Sequence, residues 1–414
     1  MSKAFGPIHQ CQNCAAQPLT PVVFLGHLPP VSTMYPIDGP AVREGWFPAP
    51  VCYCPSCHLV QLGYVEDPAL LFQPEYKYTS GTTKSLRENF AELARQARSR
   101  FGLSARDLVV DIGSNDGTLL SNFQAAGHRV VGIEPTKAGD IAIAAGIPTV
   151  RDFLGKAAVD AVVAKHGKAM IVTAANVFGH MPDIDEVMTC ISALLEPDGV
   201  FISESDYLLD IVNGLEFDTM YHEHLRYYSV NSIQDLLARR GFRVVSVERI
   251  GTHGGSIRVY ATLGSAIARD DSVDRFLAVE RSAGLDSPAW ISEFRDRITT
   301  AKLKMFDLLA GLVGKGHRLY GIGAPARSTT LIHYFGLDVG VLDCVLEVQG
   351  SKKIGHYIPG TRIPVFAEEK LYADQPEYAL LLSWHIADEL VGILRKKGYK
   401  GAFIVPLPEP RVIR

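Results

Sequence analysis

A chain of 414 residues exceeds what one ordinary hydrophobic core organises and predicts two to four domains. Its 47% apolar and 21% charged content is that of a soluble globular protein, and a formal net charge of −4 without a dense Lys/Arg tract excludes a positive field for nucleic acid or anionic lipid. No stretch approaches the roughly 18 apolar residues of a membrane span, and Met1-Ser2-Lys3-Ala4-Phe5-Gly6-Pro7 lacks an apolar signal core. The expectation is a cytoplasmic protein with no nucleic-acid, membrane or obligatory protein partner.

Five of the seven cysteines fall before residue 60. Cys11-Gln-Asn-Cys14 and Cys54-Pro-Ser-Cys57 are two knuckles whose two-residue gaps let both thiolates of a tight turn face one ion. Four sulfurs of this kind predict a closed, structural zinc site in a segment too small for its own core. Cys52 could stand in for Cys54, and His9, His27 and His58 are read as bystanders. Between Asp67 and Gly102 lie Tyr76-Lys77-Tyr78-Thr79-Ser80-Gly81 and an amphipathic run, Lys84 to Arg100, that predicts a helix.

Strands and helices then alternate. Leu108–Ile112 is a short buried strand, followed by the loop Gly113–Gly117 and a helix from Thr118 to about Ala126. Further strands are expected at Arg129–Glu134, Thr149–Val150, Met170–Thr173 and Val200–Ser203. Phe242–Glu248 and Ser256–Ala261 read as a closing pair joined by Gly251-Thr-His-Gly-Gly255. The pattern predicts a largely parallel sheet with helices on both faces.

Chemistry concentrates at the carboxyl ends of these strands, where open α/β sheets bind ligands. Asp111-Ile-Gly-Ser-Asn-Asp-Gly117 brings glycine amides close to a ligand, but its acids suit a cationic partner better than pyrophosphate. Glu134 is placed to accept hydrogen bonds from ribose hydroxyls. Together these fit S-adenosylmethionine, with Asp111, Gly113, Asn115, Asp116, Gly117, Glu134, Phe153 and Asn176 assigned to its site. Ala174–His180, Glu204 with Asp206, and the loop to Tyr221-His222-Glu223-His224-Leu225-Arg226-Tyr227-Tyr228 border the same cleft. So dense a set of imidazole, carboxylate and phenol is costly to bury and reads as acid–base machinery.

With its split cysteine segment, Tyr76-Lys-Tyr78, Asp111–Gly117, Asn176-Val-Phe-Gly-His180 and Tyr221-His-Glu-His224, the chain resembles sugar C-methyltransferases acting on dTDP-linked keto-deoxysugars in antibiotic biosynthesis. The resemblance implies an α/β protein of an N-terminal zinc-binding segment (1–70), a class I methyltransferase doubly wound sheet (71–265) and a C-terminal Rossmann-like α/β domain (266–414). It implies His224 as base, with Tyr76 or Tyr78, His180, Tyr221 and Glu223 around the sugar. The chemistry has its own logic: carbon becomes nucleophilic only after loss of a proton beside a carbonyl, which needs a neutral base and donors preorganised for the enolate. The reaction expected is methylation next to the ketone, at C3 of a 4-keto sugar.

The last third carries the main rival. Gly321-x-Gly323-x-x-Ala326 after a short strand, with Asp343 or Glu347 beyond, is a dinucleotide fingerprint and would make the protein an NAD-dependent oxidoreductase. Pro325 occupies the place of an amide that should bind pyrophosphate, so a degenerate nucleotide fold holding part of the sugar nucleotide through Arg327, Ser328 and His333 is preferred. The donor loop would serve an O- or N-methyltransferase equally, and the cysteine knuckles would serve a non-enzymatic zinc-bearing module.

Overall fold

The computed structural model describes residues 5–414; Met1 to Ala4, which open the N-terminal stretch read above, lie outside the described residues. Strands Thr20–Leu28, Phe47–Tyr53 and Val60–Leu62 form an antiparallel meander. In Phe47–Tyr53 every second residue (Ala49, Val51, Tyr53) is buried, as a sheet with one covered face requires. The fourth strand of this sheet, Arg226–Tyr227, comes from far along the chain and pairs with Val60 and Gln61.

The central sheet has seven strands: β1 (Leu108–Ile112), β2 (Arg129–Ile133), β3 (Thr149–Val150), β4 (Ala169–Ala175), β5 (Leu195–Asp206), β6 (Arg243–Ile250) and β7 (Ser256–Thr262). Their order is β3-β2-β1-β4-β5-β7-β6. Only β7 runs against its neighbours, so the closing pair expected from sequence completes an otherwise parallel sheet. All five residues of β1 are buried because helices cover both faces. Val109, Ile171 and Ile202 face Leu86, Phe90, Leu93 and Ala94 of the helix Lys84–Phe101, while Val110 and Val172 join the core on the other side. That helix ends at Gly102, whose φ of 59° suits glycine at a helix terminus.

The last sheet has the order Val365–Ala367, Cys344–Glu347, Leu319–Ile322, Tyr378–Leu381, Ala402–Val405 and Arg411–Ile413, parallel except for the final strand. The 24-residue helix Trp290–Val313 precedes it and donates from Arg295 to the carbonyls of Pro21 and Val22 in the first sheet.

Loops at the carboxyl edges of the central and last sheets meet. Arg327, at the start of the helix after Leu319–Ile322, is buried and donates from Nε and Nη2 to both oxygens of Asp218 at 2.9 and 2.7 Å, and to Glu216 at 3.1 Å. The Trp384 indole donates to the same Asp218 at 2.8 Å and lies beneath the guanidinium. Burial works against the Arg327 charge, yet Asp218 and Glu216 hold it. Removing one partner of such a buried cluster leaves uncompensated charge behind. Arg327→Ala is therefore expected to lower the unfolding free energy by about 3–5 kcal/mol, measured by urea unfolding; a loss under about 1 kcal/mol would mean the clamp is dispensable.

Candidate active site

The two cysteine knuckles fold alike. In each, the amide of the residue after the second cysteine returns to the carbonyl of the first (Ala15 to Cys11, His58 to Cys54), with φ of 59° and 60° at Ala15 and His58. The sulfurs of Cys11, Cys14, Cys54 and Cys57 lie within 4.8 Å of one another, with Cys11–Cys57 at 3.5 Å and Cys14–Cys54 at 3.6 Å. A tetrahedral zinc with bonds of about 2.3 Å separates its sulfurs by about 3.8 Å, so the donor set fits that ion. Cys52 lies within strand Phe47–Tyr53, outside the cluster, which decides between the two candidate ligands in favour of Cys54. His58 is a bystander, its Nδ1 bonded to the Tyr53 hydroxyl.

At the carboxyl end of β5 the chain packs Tyr221, Glu223 and His224 against His180 and Tyr76. His224 Nδ1 lies 2.8 Å from the Thr219 carbonyl, which can only accept, so Nδ1 carries the proton and the lone pair sits on Nε2. Burial lowers its pKa, while Asp206, 3.7 Å away, and the Thr219 carbonyl pull the other way. Its ring stacks on His180 at 4.9 Å and meets Tyr221 at 4.2 Å. His180 in turn stacks on Phe72, and burial followed by His224 and Arg226 drives it well below its usual pKa. The result is a file of stacked rings in which His224 keeps Nε2 as its basic nitrogen.

Glu223 accepts from the Tyr76 hydroxyl at 2.8 Å, and its other oxygen is buried without a partner. Burial pushes this carboxyl up to about 7, against the hydroxyls of Ser32 and Tyr76. Burial also keeps Tyr76 and Tyr221 well above 10, so both stay protonated. Tyr78 stands apart: the residue is 40% exposed and its carbonyl accepts from Asn115 in the donor loop. Of the two tyrosines, Tyr76 is the one bonded to Glu223.

The loop after β1 needs its glycines. Gly113 has a φ of 66°, and a Cβ there would approach Val177 to 2.8 Å; Gly117 has 79°, with Ile147 at 2.6 Å. Asp111 is buried at the head of this loop, accepts from Thr173 at 2.6 Å and is pushed up by burial to about 7. Glu134 accepts from the amides of Asn115 and Thr136, Asn176 adopts a φ of 58° after β4, and Phe153 is 40% exposed beyond β3. Glycines that admit a close ligand and two buried acids fit a cationic methyl donor.

Family models match the methyltransferase domain at residues 86–247, the C-methyltransferase C-terminal domain at 251–408 and a zinc-binding domain at 11–72. C-methyltransferase NovU of Streptomyces niveus is 35% identical over 412 residues, spanning 98% of this chain and 97% of that protein. The chain belongs to the C-methyltransferases. Among solved structures, magnesium protoporphyrin IX methyltransferase of Synechocystis PCC 6803 aligns with 43% of this chain and 83% of its own (15% identity, TM-score 0.34). The glycopeptide N-methyltransferase MtfA aligns with 42% and 96% (15% identity, TM-score 0.35). By the strand order, the family models and the cysteine cluster, the doubly wound fold, S-adenosylmethionine as donor and a zinc-binding segment agree with the sequence reading.

In this C-methyltransferase several side chains expected to contact a ligand are engaged by the protein itself. Asn115 and Asp116 fasten the Tyr78–Gly81 segment: the Ser80 amide donates to Asn115 at 2.9 Å and the Gly81 amide to Asp116 at 2.8 Å. Glu204 is fully buried between Arg258 at 2.6 Å and Asn89 at 2.8 Å, so it anchors helix Lys84–Phe101 to the sheet and does not face the cleft. The phosphate role expected for Arg327, Ser328 and His333 is corrected likewise. Arg327 is spent on Asp218 and Glu216, the Ser328 hydroxyl donates to the Pro325 carbonyl, and His333 bonds the Pro359 carbonyl. The fingerprint loop offers no anion cradle. Gly323 N donates to the Leu346 carbonyl, Ala324 N donates to Glu347, and Pro325 has no N–H.

Two contributors, Ser32 and Phe72, escaped sequence reading, and Arg226 was read only as one member of the Tyr221–Tyr228 stretch. Ser32 arrives from the zinc-binding segment, Phe72 extends the ring stack, and Arg226, buried without a carboxylate, donates to the carbonyls of Phe178, Met181 and Pro182 that frame His180. Arg226 also bonds Gln12 between the first cysteines, at 2.7 Å. Removing zinc should therefore reach the acid–base group. Chelation is expected to abolish methyl transfer and lower the melting temperature, with recovery on adding Zn2+ but not Mg2+, since four thiolates select the softer ion; full activity in zinc-free protein would contradict this coupling.

Proposed function

We propose that this C-methyltransferase removes the proton next to the ketone of a dTDP-linked keto-deoxysugar, at C3 of a 4-keto sugar, and methylates the carbon. The observation that carries the reading is His224, neutral by burial and bonded through Nδ1 to a carbonyl, with Nε2 left as the base. An O- or N-methyltransferase needs only a modest base and has no use for so many donors around it. The motif resemblance supports a nucleotide-linked sugar, as does the cleft between two carboxyl edges, which suits a two-part acceptor. The proposed division at residues 70 and 265 gives each sheet its own unit, apart from the shared strand Arg226–Tyr227.

His224 takes the proton at Nε2, and Asp206 stabilises the imidazolium that results. Protonated Tyr221, neutral His180 and Glu223 supply hydrogen bonds as charge moves to the carbonyl oxygen; a carboxyl near 7 donates in its protonated form. Asp111 and Glu134 hold the donor, with the neighbouring glycine turns giving close approach. S-adenosylmethionine supplies the electrophilic methyl group when bound, and orienting both reactants provides much of the acceleration.

With S-adenosylhomocysteine in place of the donor, the keto-sugar nucleotide in heavy water should take up deuterium at the carbon to be methylated. His224→Gln is expected to slow this exchange by about 10²–10⁴ while leaving donor affinity nearly unchanged; normal methylation by the variant would remove His224 as base. Because burial depresses the His224 pKa, the base protonates only below 6.5. The acidic limb of kcat/KM that His224 causes should accordingly lie below 6.5 and be lost from the residual activity of His224→Gln. A loss of activity as pH rises through about 7 that persists in that variant would instead belong to Glu223, which donates only while protonated.

A further inference from the structure

Outside the acid–base group, Lys77 meets the segment Lys352–His356, which follows the strand Cys344–Glu347. Lys77 follows Tyr76 directly, and its ammonium lies 3.1 Å from His356 Nε2. His356 Nδ1 faces the Ile354 carbonyl at 3.2 Å, which leaves Nε2 as the acceptor. Lys353 donates to the Ala324 carbonyl at 2.6 Å, and Lys352 is exposed beside Lys77. Among the described residues no ion pair joins Lys77, Lys352 or Lys353 to a carboxylate. Glu75, next to Lys77, is committed to Lys137, and Glu347, near Lys353, takes the Ala324 amide.

The cluster is held in place. The Tyr357 amide donates to the Tyr35 carbonyl and the Ile37 amide to Gly355, both at 2.9 Å, and Gly355 N reaches Val365 O at 2.9 Å. Like charges gathered on a fixed loop repel, and burial followed by Lys352 lowers the Lys77 pKa. Such an arrangement is relieved by an anion of more than one charge. Its position selects the ligand's other end: Lys77 adjoins Tyr76, and Lys353 exerts its field on Glu223. The donor loop, lined by Asp111 and Glu134, has the opposite sign. Fixed ammonium groups bind phosphate as point charges.

We propose that Lys77, Lys352 and Lys353 with His356 form the phosphate subsite of the acceptor, holding the diphosphate of a nucleoside diphosphate sugar whose ring lies against Glu223 and His224. This rests on the nucleotide-sugar reading above. It gives the C-terminal unit a binding role without the fingerprint loop, through the segment after Cys344–Glu347.

Calorimetry with deoxythymidine diphosphate and with deoxythymidine tests it. Lys77→Gln and Lys352→Gln are each expected to weaken the diphosphate about tenfold, together about a hundredfold, with deoxythymidine unaffected. Lys397→Gln, removing a lysine paired with Glu368 on the surface, should bind like wild type. The acceptor KM should rise in the lysine variants while deuterium exchange at saturating acceptor stays near wild type, which a folding defect would not allow. If wild type binds the diphosphate and both variants bind it equally well, the subsite lies elsewhere and this inference alone falls. If wild type binds S-adenosylmethionine but no nucleoside diphosphate, the nucleotide-sugar reading falls and takes the subsite with it.

Discussion

Everything in the cleft depends on how the stretch from Glu216 to Tyr228 is held. It is almost wholly buried; among the described residues His222 Nδ1, one Glu223 oxygen and the Tyr227 hydroxyl have no partner, and its other polar groups need partners from the protein. Three sheets provide them. Asp218 and Glu216 receive Arg327 and Trp384 from the last sheet, Arg226 and Tyr227 complete the zinc-bearing sheet, and the Tyr228 carbonyl accepts the Leu208 amide after β5. His224 sits in the middle of this span. Its geometry is a property of the whole assembly, and no single unit could impose it.

Zinc acts at a distance by the same route. The thiolates take no part in the chemistry, yet Gln12 between Cys11 and Cys14 holds Arg226, and Arg226 holds the carbonyls around His180. A structural ion thereby fixes a ring two contacts away. Burying arginine without a carboxylate costs more than burying it with one, and here the Tyr228 hydroxyl, Gln12 and main-chain carbonyls take its donors.

Much of the fold was legible in the sequence because its signals are local. β1 and β3 fall where the apolar runs and turns place them, and helix Lys84–Phe101 is announced by its 3- and 4-residue spacing of Leu86, Phe90, Leu93 and Ala97. The gathering of Tyr221, Glu223 and His224 was legible too, since costly side chains crowd one short stretch. What stayed hidden depends on partners remote in the chain. Glu204 looked like a cleft residue until Arg258 claimed it from β7, Arg327 looked like a phosphate ligand until Asp218 claimed it, and Ser32 has no pattern of its own. Strand Arg226–Tyr227 is two residues long and exists only because Val60 and Gln61 lie beside it.

The Tyr76–Gly81 segment ties the two halves of the cleft together, with Tyr76 bonded to Glu223 at one end and Ser80 and Gly81 bonded to Asn115 and Asp116 at the other. A molecule that competes for the loop carboxamide and carboxylate loosens one anchorage and so shifts the phenol at the opposite end. Linkage makes such an influence mutual: whatever factor the methyl donor imposes on acceptor affinity, the acceptor returns to the donor. Six residues of backbone thus make the order in which the reactants arrive a matter of thermodynamics as well as access.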